Sequence, residues 1–329
     1  VMHLEAALAI GGNLAGDRFQ LLGALTNLGN ITSEKDGPEA AIPVYEAALE
    51  CAEKLRGTTG LSQSLALVRA QLHRNHASNL RKAGRLADAA TAHDASLRDY
   101  DQVVAEKDSA PPWLLQQVAT LECWRAALLR RLDRHDEATA GLVRFTERCD
   151  KLAAFPNQPE LVAQSRAAAV EAFGDAAMES LPDIPATGRM ALADTEAQLE
   201  QLRGICQPTP ADSPLRSLLD ESETLVRGVR LRTAIRDGDL AAAWQPLKEF
   251  IDADSVDAFP MSVRIDLAAS LVAAGEEALY EEVIASLHKT LAAEPQRRPQ
   301  VTACTDATRR CGVPDTVTAH IEESLGVGR

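Results

Sequence analysis

The residues Glu5-Ala6-Ala7-Leu8 return 41 residues later as Glu46-Ala47-Ala48-Leu49, each copy closing a helix-like run ahead of a polar break. Leu25-Thr26-Asn27-Leu28-Gly29-Asn30 lies between the copies. Self-similarity at a period of roughly 20–50 residues marks an array of small units, each burying its apolar face only on its neighbours. The architecture this predicts is a solenoid, and it narrows the function to holding something.

Apolar residues recur at three- and four-residue spacing along nearly the whole chain, and no run shows the alternation of a half-buried strand. Breaks punctuate these runs at Asp36-Gly37-Pro38, Ala83-Gly84-Arg85, Asp133-Arg134-His135, Asp237-Gly238-Asp239, Ala274-Gly275-Glu276 and Cys311-Gly312-Val313. Glycine just past a periodic run is the usual helix stop. Alanines follow most breaks, as in Glu39-Ala40-Ala41 and Asp88-Ala89-Ala90, and small residues there let a second helix approach the first closely.

On these residues the chain resembles the tetratricopeptide repeat (TPR) family, in its long-repeat bacterial form. Leu25, Leu28 and Gly29 match the large-large-small pattern of a first helix, and Ala41, Tyr45 and Ala48 match the second. Leu86–Leu97 repeats the second half, with His93 in the aromatic place. The resemblance implies an all-α, right-handed superhelical solenoid of about seven hairpins. First helices around 20–34, 66–83 and 114–132 would line its concave face.

Three segments follow from the pattern. Residues 1–155 are expected to be TPR-like repeats, 156–214 an irregular hairpin with a Pro-rich joint from Gln207 to Pro214, and 215–329 degenerate repeats. Leu181-Pro182-Asp183-Ile184-Pro185 is expected to be a loop. Leu4–Leu8 looks like the second helix of a hairpin whose first helix is missing, so the first hairpin is expected to be incomplete and the chain a fragment.

Composition sets limits. A formal charge of −14 disfavours non-specific nucleic-acid binding, which needs a positive footprint. Arg125, Arg130, Arg131 and Arg134 are expected on solvated helix faces with their stems covering apolar surface. The six scattered cysteines suit buried, reduced thiols better than a disulfide framework. No apolar run approaches the ~20 residues needed to cross a bilayer, and a cytoplasmic location without membrane contact is expected.

The resemblance implies that the concave face holds an extended peptide, with asparagines bonding its main chain because an amide both donates and accepts. Asn27 and Asn75 fall at equivalent places, with Asn30 one turn further on. The family's carboxylate clamp needs cations where this chain has Thr26, Thr120 and Trp124. Arg74, Arg81 and Lys82 stand on the same helix as Asn75 and would favour acidic groups.

His73, His76 and His93 could in principle hold zinc, but the pattern gives His93 and His76 packing places. Nucleophile and phosphate-loop motifs are absent, and Trp113, Trp124 and Trp244 are expected in the core. The expectation is a non-enzymatic scaffold with no cofactor, binding a peptide or protein, with self-association or contacts to a parent polypeptide as further partners. The alternative is a sensor or autoinhibitory arm of a larger bacterial signalling protein whose protease, nucleotide-switch ATPase or transcription-regulator part lies elsewhere.

Overall fold

A computed structural model describes residues 14–55, 62–105, 110–156, 158–179, 185–207, 210, 213–248 and 256–327. The first copy of the echo, the incomplete first hairpin and residues 181–184 of the expected loop lie outside these. Among the described residues there are helices and turns but no strand. Contacts divide the chain into two compact units, residues 1–165 and 166–329.

The first unit contains α1 (Leu14–Lys35), α2 (Pro38–Lys54), α3 (Ser62–Lys82), α4 (Leu86–Ala105), α5 (Pro112–Arg131) and α6 (His135–Ala153). Each packs on its neighbour in sequence, and α1 also touches α3. Each part of the core draws on successive helices: Leu22, Tyr45, Leu55 and Leu72 in one cluster, Ala70, Tyr100, Val103, Leu114 and Val118 in the next. This is an all-helical, repeat-like arrangement in which neighbouring helices pack in sequence.

Small residues set how closely the paired helices approach. A Cβ on Gly29 would lie 2.8 Å from the Tyr45 ring, inside contact distance. Tyr45 itself is 1% exposed. At the same places 48 residues on stand Ala77 and His93, both buried. After another 48 stand Arg125 and Gly141, and there Gly141 approaches Ala126. Leu28, expected as one of the packing residues, is instead 38% exposed. It occupies the outer edge of the stripe that Leu21, Leu22 and Leu25 bury.

The breaks work through their backbones. Gly84 has φ 76°, and the following amide, Arg85 N, bonds back to the carbonyl of Leu80 at 2.8 Å. At the third break Asp133 takes the same left-handed conformation (φ 60°), and Arg134 N bonds the Leu129 carbonyl at 2.9 Å. A short polar side chain tolerates this conformation better than most. The Asp133 carboxylate also lies 2.7 Å from His135 Nε2.

α7 (Pro159–Glu179) runs across the division at residue 165. The second unit continues with α8 (Pro185–Cys206), α9 (Pro214–Arg236), α10 (Met261–Ala274), α11 (Glu277–Ala293), α12 (Arg298–Arg310) and α13 (Asp315–Ser324). Of the expected Pro-rich joint, residues 208–209 and 211–212 lie outside the described ones. Over residues 239–247 turns and a short 3-10 turn, Gln245–Leu247, stand where the second helix was expected, and residues 249–255 lie outside the described ones. Pro246 cannot donate to a helix ladder, and Trp244, 1% exposed, fills the core instead.

Two arginines of α9 tie this unit together. Arg236 donates to the carbonyls of Ala177 and Met178 at 3.0 and 3.2 Å, capping the C-terminal end of α7 where helix carbonyls lack partners. Arg232 meets the fully buried Asp266 of α10 at 2.5 Å, and Thr308 of α12 donates to the same carboxylate at 2.7 Å.

All six cysteines are reduced thiols, five of them buried and Cys304 partly so. No helix among the described residues is long and apolar enough to cross a membrane.

The Gly29–Tyr45 contact predicts opposite outcomes for two substitutions in one helix. Gly29→Ala forces the methyl into the ring and lowers the stability of the first unit by ~1–3 kcal/mol. Gly23, with open space where a Cβ would go, gains ~0.5–1 kcal/mol on Gly23→Ala from the lower entropy of the unfolded chain. Urea unfolding of both variants checks the pair.

Candidate functional site

Neighbouring first helices of the first unit, α1 with α3 and α3 with α5, share apolar clusters and also meet through polar and aromatic side chains. Between α1 and α3, Ser33 Oγ donates to Asn79 Oδ1 at 2.6 Å, and Asn75 Nδ2 donates to Asn30 Oδ1 at 3.2 Å. Asn79 in turn donates to the Asn75 carbonyl at 2.9 Å. Between α3 and α5, Arg74 Nη1 donates to Gln117 Oε1, and the Arg81 guanidinium lies 4.5 Å from the centre of the Trp124 ring.

The structure joins two of the sequence-derived asparagines. Asn30 Oδ1 accepts from both Tyr45 Oη (2.6 Å) and Asn75 Nδ2. The Asn30 amide N–H groups and the Asn75 Oδ1 make no side-chain hydrogen bond among the described residues, so a spare donor and a spare acceptor stand side by side. Asn27 is exposed on α1 and bonds nothing among the described residues. The place equivalent to Asn75 in α5 is Cys123, which is buried, so the row of asparagines stops after α3. Lys82 is exposed at the end of α3.

Some of the site was not foreseen. Gln117, Ser33 and the Tyr45 hydroxyl carry contacts that no motif announced. Trp124, expected in the core, is partly exposed under Arg81, and Trp113 is 46% exposed. Of the arginines expected on solvated faces, Arg130 is 5% exposed, and Arg125 bonds Asp94 with its side chain 11% exposed. Arg125 reaches Asp94 of α4, and Arg130 donates to the His135 carbonyl of α6 at 3.4 Å. Arg134 is exposed and paired with Glu137 at 2.7 Å, as a solvated position would be.

The three histidines do not converge. His73 faces Asp99 at 4.0 Å, and His76 faces Glu46 at 3.9 Å beside the Tyr45 ring. His93 lies near Arg74, Arg81 and Arg125 instead. No group of three His, Cys, Asp or Glu side chains among the described residues could hold a metal ion. Burial pushes His93 down to about 3 and His73 down to about 4, with neighbouring arginines acting in the same direction. Both imidazoles are neutral at pH 7.

No protein-family model matches the chain, and no curated protein matches it.

The buried imidazoles give the fold a defined acid response. Unfolded histidine takes up its proton near 6.5, whereas His93 in the folded chain does so only near 3. Between these values the unfolded chain binds more protons, so stability falls as pH is lowered, by ~1.4 kcal/mol per pH unit for each such histidine. From pH 7 to pH 5 the protection of α3 and α4 amides from hydrogen exchange should fall. In a His93→Gln chain the pH 7 to pH 5 difference should shrink by ~2 kcal/mol.

Proposed function

We propose that the chain is a non-catalytic peptide-binding scaffold of the TPR type, with its hairpins wound into a right-handed superhelix and its ligand lying across the first helices α1, α3 and α5. The observation that carries this is the Asn30–Asn75 pair. Two amides from successive first helices stand joined on the surface, one with a spare N–H pair and the other with a spare oxygen. An extended peptide presents a carbonyl and an N–H at the same spacing that adjacent helices can span, and an amide pair answers both.

The 48-residue register of Gly29, Ala77 and Arg125 against Tyr45, His93 and Gly141 supports the TPR-type winding. A constant step repeated with paired small and large residues stacks hairpins at a constant angle. Arg74, Arg81 and Lys82 stand along α3 with Asn75 and bias the surface toward peptides carrying acidic groups. Asn27, exposed one turn before Asn30, extends the polar row on α1.

Panning displayed random peptides on the purified chain tests this directly. Peptides rich in Asp or Glu should be enriched, and the selected ones should bind an Asn27→Ala/Asn75→Ala chain about tenfold more weakly, a loss of ~1.4 kcal/mol. Enrichment of basic or purely apolar sequences, no enrichment at all, or undiminished binding to the variant would each overturn the proposal.

A further inference from the structure

Ala24, Leu28, Ile31 and Lys35 follow one another along α1 at steps of four, three and four residues. That is the spacing with which one helix meets another along a single seam. Leu28 is 38% and Ile31 49% exposed, Lys35 is exposed and Ala24 is half-buried. The other large apolar side chains so exposed among the described residues, Trp113, Val143 and Met190, each stand alone on a helix.

In the later first helices the same two places are covered. The residues 48 positions after Leu28 and Ile31 are His76 and Asn79 of α3. His76 lies beside the Tyr45 ring and faces Glu46 of α2, and Asn79 is 5% exposed and bonds Ser33 of α1. Another 48 residues on, Trp124 of α5 lies against Arg81 of α3, and Ala127 is 2% exposed. A repeat array keeps apart from other molecules by presenting a polar face at its end. On α1 that place carries an apolar pair instead.

We infer that this seam is a self-association surface, on which α1 of a second copy of the chain packs antiparallel about a two-fold axis midway between Leu28 and Ile31. In that register each Leu28 faces the second copy's Ile31, and each Lys35 faces the second copy's Ala24. Four apolar side chains then close the centre, and each lysine stem lies over a small residue with its ammonium group in water. Parallel pairing would set the two Lys35 charges against each other, so charge selects the antiparallel arrangement. The contact uses the same patch on both copies and closes at two, rather than extending into a fibre. A seam of about three turns buries less than the ~1,200 Å² of a stable interface, so the dimer is weak and half-formed at roughly tens of micromolar. The inference is independent of the peptide-binding reading, and neither Asn30 nor Asn75 belongs to the seam.

Sedimentation velocity of the full chain between ~1 and ~200 µM should show the weight-average coefficient rising from monomer toward dimer. Leu28→Glu and Ile31→Gln should each raise the dimer Kd about tenfold or more, with thermal unfolding at low concentration unchanged because both positions face solvent in the single chain. Geometry is read by cysteine pairing under mild oxidation. Ala24→Cys and Lys35→Cys chains, when mixed, should give a disulfide-linked dimer containing one of each. Either chain alone should not, because like positions stand ~16.5 Å apart along an antiparallel pair, beyond the reach of a disulfide. The unsubstituted chain, whose six cysteines are free thiols, serves as the background.

A chain that stays monomeric throughout this range overturns the inference. Labelling of a Leu28→Cys chain then separates a bare face, which is modified fast, from one covered by the chain's own residues, which is modified slowly. Linkage of either cysteine chain to itself would show parallel pairing and overturn the two-fold arrangement. A dimer indifferent to both Leu28→Glu and Ile31→Gln would lie on another surface, and the seam on α1 would have no such role.

Discussion

Tyr45 joins the two kinds of contact on which a repeat array depends. Its ring closes a hairpin by resting on Gly29, where no side chain intervenes. Its hydroxyl, held by that same closure, donates to Asn30, which accepts from Asn75 of the next first helix. Packing within a hairpin and stacking between hairpins therefore share one side chain. A change in the depth of the ring would shift the hydroxyl, and with it the amide pair on the surface. In a solenoid each unit contacts only its neighbours, so such local coupling is the means by which the geometry of one hairpin is passed to the next.

The two units solve the problem of buried polarity differently. In the first, charges on neighbouring helices pair with one partner reaching solvent, as in Arg144 with Glu122 and Arg148 with Asp101. In the second, Arg232 and Asp266 are almost wholly withdrawn from water. A buried pair of this kind offsets its desolvation only when further hydrogen bonds complete it. Thr308 supplies one to the carboxylate, and the carbonyl of Met178 lies 3.5 Å from Arg232 Nη1. Burial with Asp266 nearby also pushes the Cys304 thiol up to about 11, which keeps it protonated at neutral pH.

Periodicity and glycine placement made the hairpins of the first unit legible, because helix length and helix stops are local properties. The stretches expected for first helices, 20–34, 66–83 and 114–132, fall almost entirely within α1, α3 and α5. The same reasoning failed over residues 239–247, where a helical pattern meets Pro246 and gives way to the packing of Trp244. Leu28 shows a related limit. Its spacing from Leu25 matches a buried stripe, but how wide that stripe is depends on where α2 and α3 lie. The site was legible one helix at a time. Asn30, Asn75, Arg74 and Arg81 could be placed on their own helices, yet the partners that position the two arginines, Gln117 and Trp124, come from 43 residues away. Contact across that distance follows from the stacking of hairpins, which no motif encodes.

A chain of formal charge −14 offers an acidic ligand no attraction at long range, so any attraction must be confined to contact distance. The arginines of the first unit divide accordingly. Arg125, Arg144 and Arg148 are committed to Asp94, Glu122 and Asp101 and tie helices together. Arg74 donates to Gln117, a neutral amide, a contact that orients the guanidinium without cancelling its charge. Beyond a screening length of ~8 Å at physiological ionic strength the surrounding carboxylates and this guanidinium are equally faint. A loosely acidic segment therefore gains nothing from passing near the chain. Only a group that reaches Arg74 itself, beside Asn75 on α3, comes close enough for the cation to outweigh the rest of the protein. Selectivity in such a site is a matter of fit, because a negatively charged chain offers nothing at a distance to a ligand that merely carries the right sign.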